Sequence, residues 1–318
     1  MFPEHNVHVS LTARSNYKIL SQNGVRMKTH TFGDYVFRPE NVFPNVEAAA
    51  EEREWDYVVV TTKALPDRDD EAGRIEKVVT KDKTAILLIQ NGVGVEGVYR
   101  ERFGNTPVVS GVTVVSAELV GGGEVVQRRW TRLHLGPYGD GFGGLPELAE
   151  AGAARANEIG DWWARLGGIR DVEVSGEIDL QMIRWHKLCI NAAFNPSAVL
   201  AGGRGNADMV LDPVLREHLA GVMTEIWEAV PRILGREFPD ELAKPEKILK
   251  STERNVGSKP SMLLDWEAGR PLELEVILGN PVRIAKAKGV EMPRLQTLYA
   301  LLRSAQWVRE GRKEKGRL

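Results

Sequence analysis

The chain has 318 residues, 42% hydrophobic and 27% charged, with a formal net charge of -2 and a pI of about 6.4. That length suits two domains with substantial cores, and the even charge balance excludes a polyanion-binding surface, so nucleic acid is not an expected partner. The single cysteine, Cys189, excludes an internal disulfide and any multi-cysteine metal site.

The basic tail from Arg303 to Arg317 is interrupted by Glu310 and Glu314 and reads as a solvated helix end. None of the six histidines stands at metal-ligand spacing from a second ligand. The longest apolar runs, such as Ala85 to Ile89, fall far short of the ~20 residues of a membrane span. The opening Met-Phe-Pro-Glu-His-Asn has neither a basic n-region nor an apolar h-region, so cytosol is the expected location.

In chain order, Val7 to Thr12 reads as a strand, then Val25 to Phe37 as a hairpin and Val46 to Arg53 as a helix. Asp56 to Thr62 is the next strand, Asp69 to Val79 a helix, Ala85 to Ile89 a strand, Glu96 to Phe103 a helix and Pro107 to Val115 a strand. The strands are continuous apolar runs, as in a parallel sheet covered on both faces, and the βαβ rhythm implies a doubly wound, Rossmann-type α/β domain. A second hairpin is expected over Glu124 to Leu135, opened by Gly121, Gly122 and Gly123. From about residue 175 the periodicity turns helical, over Ile178 to Leu200, Pro213 to Leu234, Leu242 to Lys250, Pro271 to Lys288 and Leu295 to Glu310. Two domains follow, residues 1–175 and an all-helical 176–318.

A doubly wound dinucleotide domain opens with a strand, a G-x-G-x-x-G loop and a helix. Here the chain begins at what reads as the second strand, and nothing before Val7 can serve as the phosphate loop. The Gly-Gly-Arg-Gly run at 202–205 follows a helix and reads as a helix-end loop. The expectation is a first domain lacking its first strand and glycine loop, poor in cofactor binding, marginal in stability and of little activity.

Three segments carry candidate chemistry. In Arg184-Trp-His-Lys-Leu-Cys-Ile-Asn-Ala-Ala-Phe-Asn-Pro196, Lys187, Asn191 and Asn195 fall at i, i+4 and i+8 and stack on one helix face. That stripe suits either an oxygen-rich small molecule or plain solvation. Pro196 should bend or end the helix. In Lys259 to Glu273, Ser261 reads as an N-cap, Gly269 as a C-cap, Pro271 as a first-turn proline and Glu273 as a first-turn acid. Ile89-Gln-Asn-Gly-Val-Gly94 sits at the C-terminal end of a strand, where open α/β sheets bind ligands, and reads equally as a turn before a helix. His186 should point ~100° away from Lys187 and be structural. Cys189 reads as a small core residue.

Together these segments resemble the ketopantoate reductase family (2-dehydropantoate 2-reductase), over about Val7 to Leu302. The resemblance rests on Gln90-Asn-Gly-Val-Gly94, the Lys187-x-x-x-Asn-x-x-x-Asn195 stripe and Pro260-Ser-Met-x-x-Asp-x-x-x-Gly-Arg-x-x-Glu273. It implies reduction of 2-dehydropantoate to pantoate with NADPH, in pantothenate and coenzyme A synthesis. Lys187 would be the general acid, and Glu273 would hold it and contact the substrate. Ser261, Asn191 and Asn195 would bind the substrate, and Asn91 would contact substrate and cofactor. Arg14 and Lys63 would pair with the cofactor's 2′-phosphate. The family's further asparagine falls one place later than expected, at Asn206. A lysine at the ordinary pKa of ~10.4 is protonated at neutral pH, and a carboxylate neighbour keeps it so. The expected partners are a small 2-oxoacid and, for assembly, a second copy of the chain. Two alternatives stand beside this: another small oxoacid or ketone as substrate, or an inactive relic or incomplete gene model.

Overall fold

The computed structural model describes residues 7–315; the opening Met1 to Asn6 and the last three residues of the basic tail lie outside it. Two compact units make up the chain: residues 1–61, 70–89 and 96–180, and residues 62–69, 90–95 and 181–318. The division is therefore not a single cut, because two loops of the first half belong to the helical unit.

The first unit contains β1 (Leu11–Thr12), α1 (Tyr17–Asn23), β2 (Val25–Thr29), β3 (Gly33–Phe37), β4 (Val42–Phe43), α2 (Val46–Glu52) and β5 (Tyr57–Val60). After them come α3 (Glu71–Arg74), β6 (Ala85–Leu88), α4 (Gly97–Phe103), β7 (Val108–Gly121), β8 (Glu124–Pro137), α5 (Pro146–Arg165) and β9 (Val172–Val174). The main sheet has the order β3-β2-β8-β7-β6-β5, with β9 added to β8. Strands β5, β6 and β7 run parallel, while β7 and β8 are antiparallel, so the sheet is mixed. β1 and β4 form a separate parallel pair, and β3 and β5 are the two edges of the main sheet's path.

The all-buried run Ala85–Leu88 explains the core. Ile86 and Leu88 pack with Val60, Tyr99 and Val108 on one face, and Leu87 packs with Val109, Leu135, Ala156 and Ile159 on the other. Alternate residues of a strand point to opposite faces, so a continuous apolar run requires cover on both.

Several expectations change here. The segment at 124–135 is one strand, not a hairpin; its partner is β7, and Gly121, Gly122 and Gly123 make the reversal at φ +100°, +59° and +74°. The β7–β8 ladder is irregular between Val115 and Ala117, and Trp130, in the facing stretch of β8, has φ +54°. The helix over 69–79 shrinks to α3 and a single 3-10 turn, and β1 spans two residues rather than six.

The second unit takes in most of α6 (Glu177–Leu200), then α7 (Asn206–Leu211), α8 (Pro213–Leu234), α9 (Pro245–Thr252), α10 (Ser261–Glu267), a π-helical turn (Glu275–Gly279), α11 (Asn280–Ala287) and α12 (Pro293–Lys315). α6 does not end at Pro196; it continues to Leu200. The proline lies in the final turn, where it costs one backbone bond while surrounding residues are buried. α8 has Leu219, Val222, Met223, Ile226 and Val230 on its buried face. Among the described residues, no helix is long and apolar enough to cross a membrane.

Candidate active site

Lys187 lies on α6, half-buried, and its Nζ donates to Asn91 Oδ1 at 2.8 Å. Asn91 also hydrogen-bonds Glu273. Its amide oxygen is taken by the ammonium, so its NH₂ donates to the carboxylate. Glu273 is 7% exposed and accepts the Ala64 N–H at 3.2 Å. Lys187 and Glu273 make no described ion pair; the Asn91 amide stands between them, and the carboxylate acts on the lysine through its charge.

The electrostatics differ from those expected of an ordinary lysine. Burial, then the Arg184 guanidinium, push the Lys187 pKa down to about 8 against the opposing pull of Glu273. Burial pushes the Glu273 carboxyl up, while the Ala64 amide and Lys63 pull it down. The lysine is thus a readier proton donor than a free one and is still largely charged at neutral pH.

The Gln90–Gly94 loop that delivers Asn91 is held at several points. Arg184 Nη1 donates to the carbonyls of Gln90 and Gly92, both at 3.0 Å. Val93 N–H donates to Val276 O at 2.8 Å, and Asn280 Nδ2 to Val93 O at 3.0 Å. Gly92 has φ +89°, and a Cβ there would collide with the Val276 carbonyl. Glycine is required because the loop presses backbone to backbone on the π-helical turn, a rare element frequent at functional sites.

The second signature segment is chiefly a device for presenting Glu273. Pro260, not Ser261, caps α10, and Ser261 is its first residue. Gly269 follows the C-cap Ala268 at φ +66°. Glu273 precedes the π-helical turn and faces Ala64 and Asn91 rather than serving as a first-turn acid. Asp265, buried, accepts from Arg270 Nε at 2.9 Å and from the Arg270 backbone through its own carbonyl, which ties the intervening turn. Leu272 N–H donates to the side-chain oxygen of Gln306, on α12, at 2.9 Å.

The other expected residues divide. Asn195 Oδ1 accepts the Met262 N–H at 3.2 Å and, more loosely, the Ser261 hydroxyl at 3.4 Å, so it secures the first turn of α10. Asn191 is half-buried and makes no described hydrogen bond. Eight residues of helix put Asn195 ~12 Å along the axis from Lys187, with Asn191 midway. Asn206 opens α7 and binds Ser258 Oγ at 3.0 Å. Lys63 is ion-paired with Asp265 rather than free. Arg14, just past β1, is exposed and makes no described ion pair. His186 bonds the Ala243 carbonyl at 3.0 Å and packs edge-on to Trp227 and Phe238, and Cys189 is buried.

Sequence reasoning overlooked two literal G-x-G-x-x-G strings that stand between a strand and a helix. One is Gly92-Val-Gly-Val-Glu-Gly97, between β6 and α4. Its Val93 amide is already given to Val276, and Glu96, the N-cap residue of α4, is buried with its carboxylate accepting from the Ser110 hydroxyl and making no side-chain cap bond. The other is Gly139-Asp-Gly-Phe-Gly-Gly144, between β8 and α5. There Glu177 Oε1 accepts the amides of Gly139, Asp140 and Gly141 at 2.6, 3.0 and 2.7 Å. Such a run of amides is an anion nest, and the chain's own carboxylate fills it. A nicotinamide dinucleotide would therefore find no open cradle for its pyrophosphate in either glycine string, while Arg14 stands exposed just past β1.

Mixed α/β sheet and helical second unit define the fold class. Residues 1–140 match the family described as ketopantoate reductase PanE/ApbA, and residues 179–306 match its C-terminal domain. An uncharacterised protein of Saccharomyces cerevisiae, YDL144C, is 32% identical over 92% of this chain and 85% of its own length. A 2-dehydropantoate 2-reductase of Nostoc sp. is 26% identical over 98% of this chain and 90% of its own length. The crystal structure of 2-dehydropantoate 2-reductase from Methylococcus capsulatus superposes with a TM-score of 0.76 at 31% identity, covering 96% of this chain and 92% of that one. The chain belongs to the ketopantoate reductase family, a family of nicotinamide-dependent oxidoreductases.

Proposed function

We propose that this chain is an NADPH-dependent reductase of a small 2-oxoacid, with 2-dehydropantoate as substrate and pantoate as product, acting in pantothenate and coenzyme A synthesis. The observation that carries the reading is Lys187, half-buried with its pKa near 8, joined through Asn91 to the buried Glu273. The chemistry a bound nicotinamide would supply is hydride donation to the carbonyl carbon. Lys187 gives its proton to the carbonyl oxygen, and its charge stabilises the alkoxide as it develops. Asn91 holds the ammonium in place, and Glu273 keeps it protonated against burial. Asn191, with no described bond of its own, is available to the substrate's oxygens; Ser261 is exposed at the start of α10, and Asn195 reaches the substrate only by sharing its oxygen or by using its NH₂.

The sheet-bearing unit is assigned the dinucleotide and the helical unit the substrate. Arg14 would meet the 2′-phosphate, with Lys63 contributing less because Asp265 already holds it. A cytosolic location and a homodimeric assembly go with this reading.

NADPH oxidation, followed with 2-dehydropantoate and a panel of other 2-oxoacids, tests it. The highest kcat/KM is expected for 2-dehydropantoate. A higher value for a different oxoacid reassigns the substrate, and no turnover with any of them removes the activity.

A further inference from the structure

We infer that Arg184 is a positioning residue for Lys187: its guanidinium clamps the Gln90–Gly92 turn to α6 and so holds the Asn91 amide against the Lys187 ammonium. The inference rests on the reading of Lys187 as the proton donor. Arg184 is 3% exposed, and the two hydrogens of its Nη1 go to the carbonyls of Gln90 and Gly92 at 3.0 Å each. Those carbonyls flank Asn91, whose Oδ1 returns to Lys187 at 2.8 Å. The circuit leaves α6 at Arg184 and re-enters it three residues later, less than one helical turn away. The loop's further described ties go to Glu273, Val276, Asn280 and Thr62, none of which is on α6. Beside the Lys187–Asn91 bond itself, the Arg184 pair is therefore the described contact that ties the loop to the helix carrying Lys187.

A buried guanidinium within a turn of a half-buried ammonium carries a cost, because like charges disfavour one another in a poorly solvated site. The carbonyl pair meets the hydrogen-bonding need of that nitrogen. The repulsion falls on Lys187 and is opposed by Glu273, which Lys63 and Asp265 face in turn. Arg184 thus acts in two ways, on where the ammonium is held and on how readily it gives up its proton.

Arg184→Met and Arg184→Lys in the full chain separate the two effects. The Lys187 titration midpoint is read by pH-dependent competitive acetylation with mass-spectrometric detection, and kcat against pH by 2-oxoacid reduction. In the unaltered chain the midpoint is expected near 8. Arg184→Met should raise it, since a neighbouring cation is gone, and should lower kcat by up to ~10²-fold through misplacement of the donor. Arg184→Lys should keep the midpoint, because the charge remains, and recover part of kcat. A purely structural role would lower kcat without moving the midpoint, and an unmoved midpoint in Arg184→Met overturns the inference. If the methionine variant does not fold, Arg184→Lys decides, with an undiminished kcat counting against the clamp. An unaltered chain that reduces no 2-oxoacid removes the proposed activity, and the labelling comparison then tests Arg184 alone.

Discussion

Asn91 Oδ1 lies 2.8 Å from Lys187 Nζ, and that bond fixes which way the amide faces, leaving its NH₂ for Glu273. Replacing the amide by a carboxylate reverses part of this arrangement. Asn91→Asp should bring a like charge against Glu273 and an added negative charge against Lys187. The lysine then holds its proton to higher pH, so the alkaline limb of kcat moves up while its plateau falls. A limb that moves down in the pH profile would contradict the geometry.

Glu273→Gln should do the opposite. The side-chain oxygen can still accept the Ala64 N–H, but the charge that supports the ammonium is gone. The Lys187 pKa drops further below 8, and the alkaline limb moves down with it. The pH dependence of kcat for the two variants, measured side by side, checks that their shifts have opposite signs.

Stability carries the same signature. Lys187 titrates near 8 in the folded chain against an ordinary 10.5. Between those values the unfolded chain holds more protons than the folded one, so this group makes the protein more stable as pH rises through that window. Its contribution is least favourable below pH 8 and levels off above 10.5. The difference in Tm between the unaltered chain and Lys187→Ala, followed from about pH 7 to about pH 10, should grow with pH in favour of the unaltered chain. A difference that shrinks would show that Lys187 is not depressed.

Much of the architecture was legible because some residues have one structural use. Ala85–Leu88 is apolar on both faces and could only be a covered strand, and α8 was read with its observed bounds, Pro213–Leu234. α5 went unread because its buried face is made of Gly152, Ala156, Ile159 and Gly160, mostly small residues that do not announce a core. Glu124 to Leu135 misled because Gly121, Gly122 and Gly123 mark the reversal between β7 and β8 rather than the opening of a separate hairpin. At the site, spacing placed Lys187, Asn191 and Asn195 on one stripe, but it could not show that Asn195 serves α10 or that Lys63 belongs to Asp265. Those are contacts between distant segments, and local periodicity does not encode them. Arg184 was passed over for the same reason, since its partners are backbone carbonyls more than 90 residues away.

Cofactor preference is expected to rest on Arg14, which is exposed and in no described ion pair. Arg14→Ala should raise KM for NADPH and leave KM for NADH nearly unchanged, because only the former has a 2′-phosphate to lose a charge-assisted bond. Lys63→Ala should act differently, loosening Asp265 and the turn that presents Glu273, and so lower kcat with either cofactor. Steady-state kinetics with both dinucleotides separates the two; equal losses for NADPH and NADH in Arg14→Ala would remove it from the phosphate.

The most direct measurement is kcat for 2-dehydropantoate reduction by the unaltered chain and by Lys187→Ala, both at saturating NADPH, because neither glycine string offers the pyrophosphate an open cradle and the cofactor is expected to bind weakly. Loss of a general acid should lower kcat by ~10²–10⁴-fold. The fold should persist, since Lys187 is half-buried and its one described hydrogen bond is to Asn91. Undiminished turnover in the alanine variant would mean that the proton reaches the carbonyl oxygen from another group.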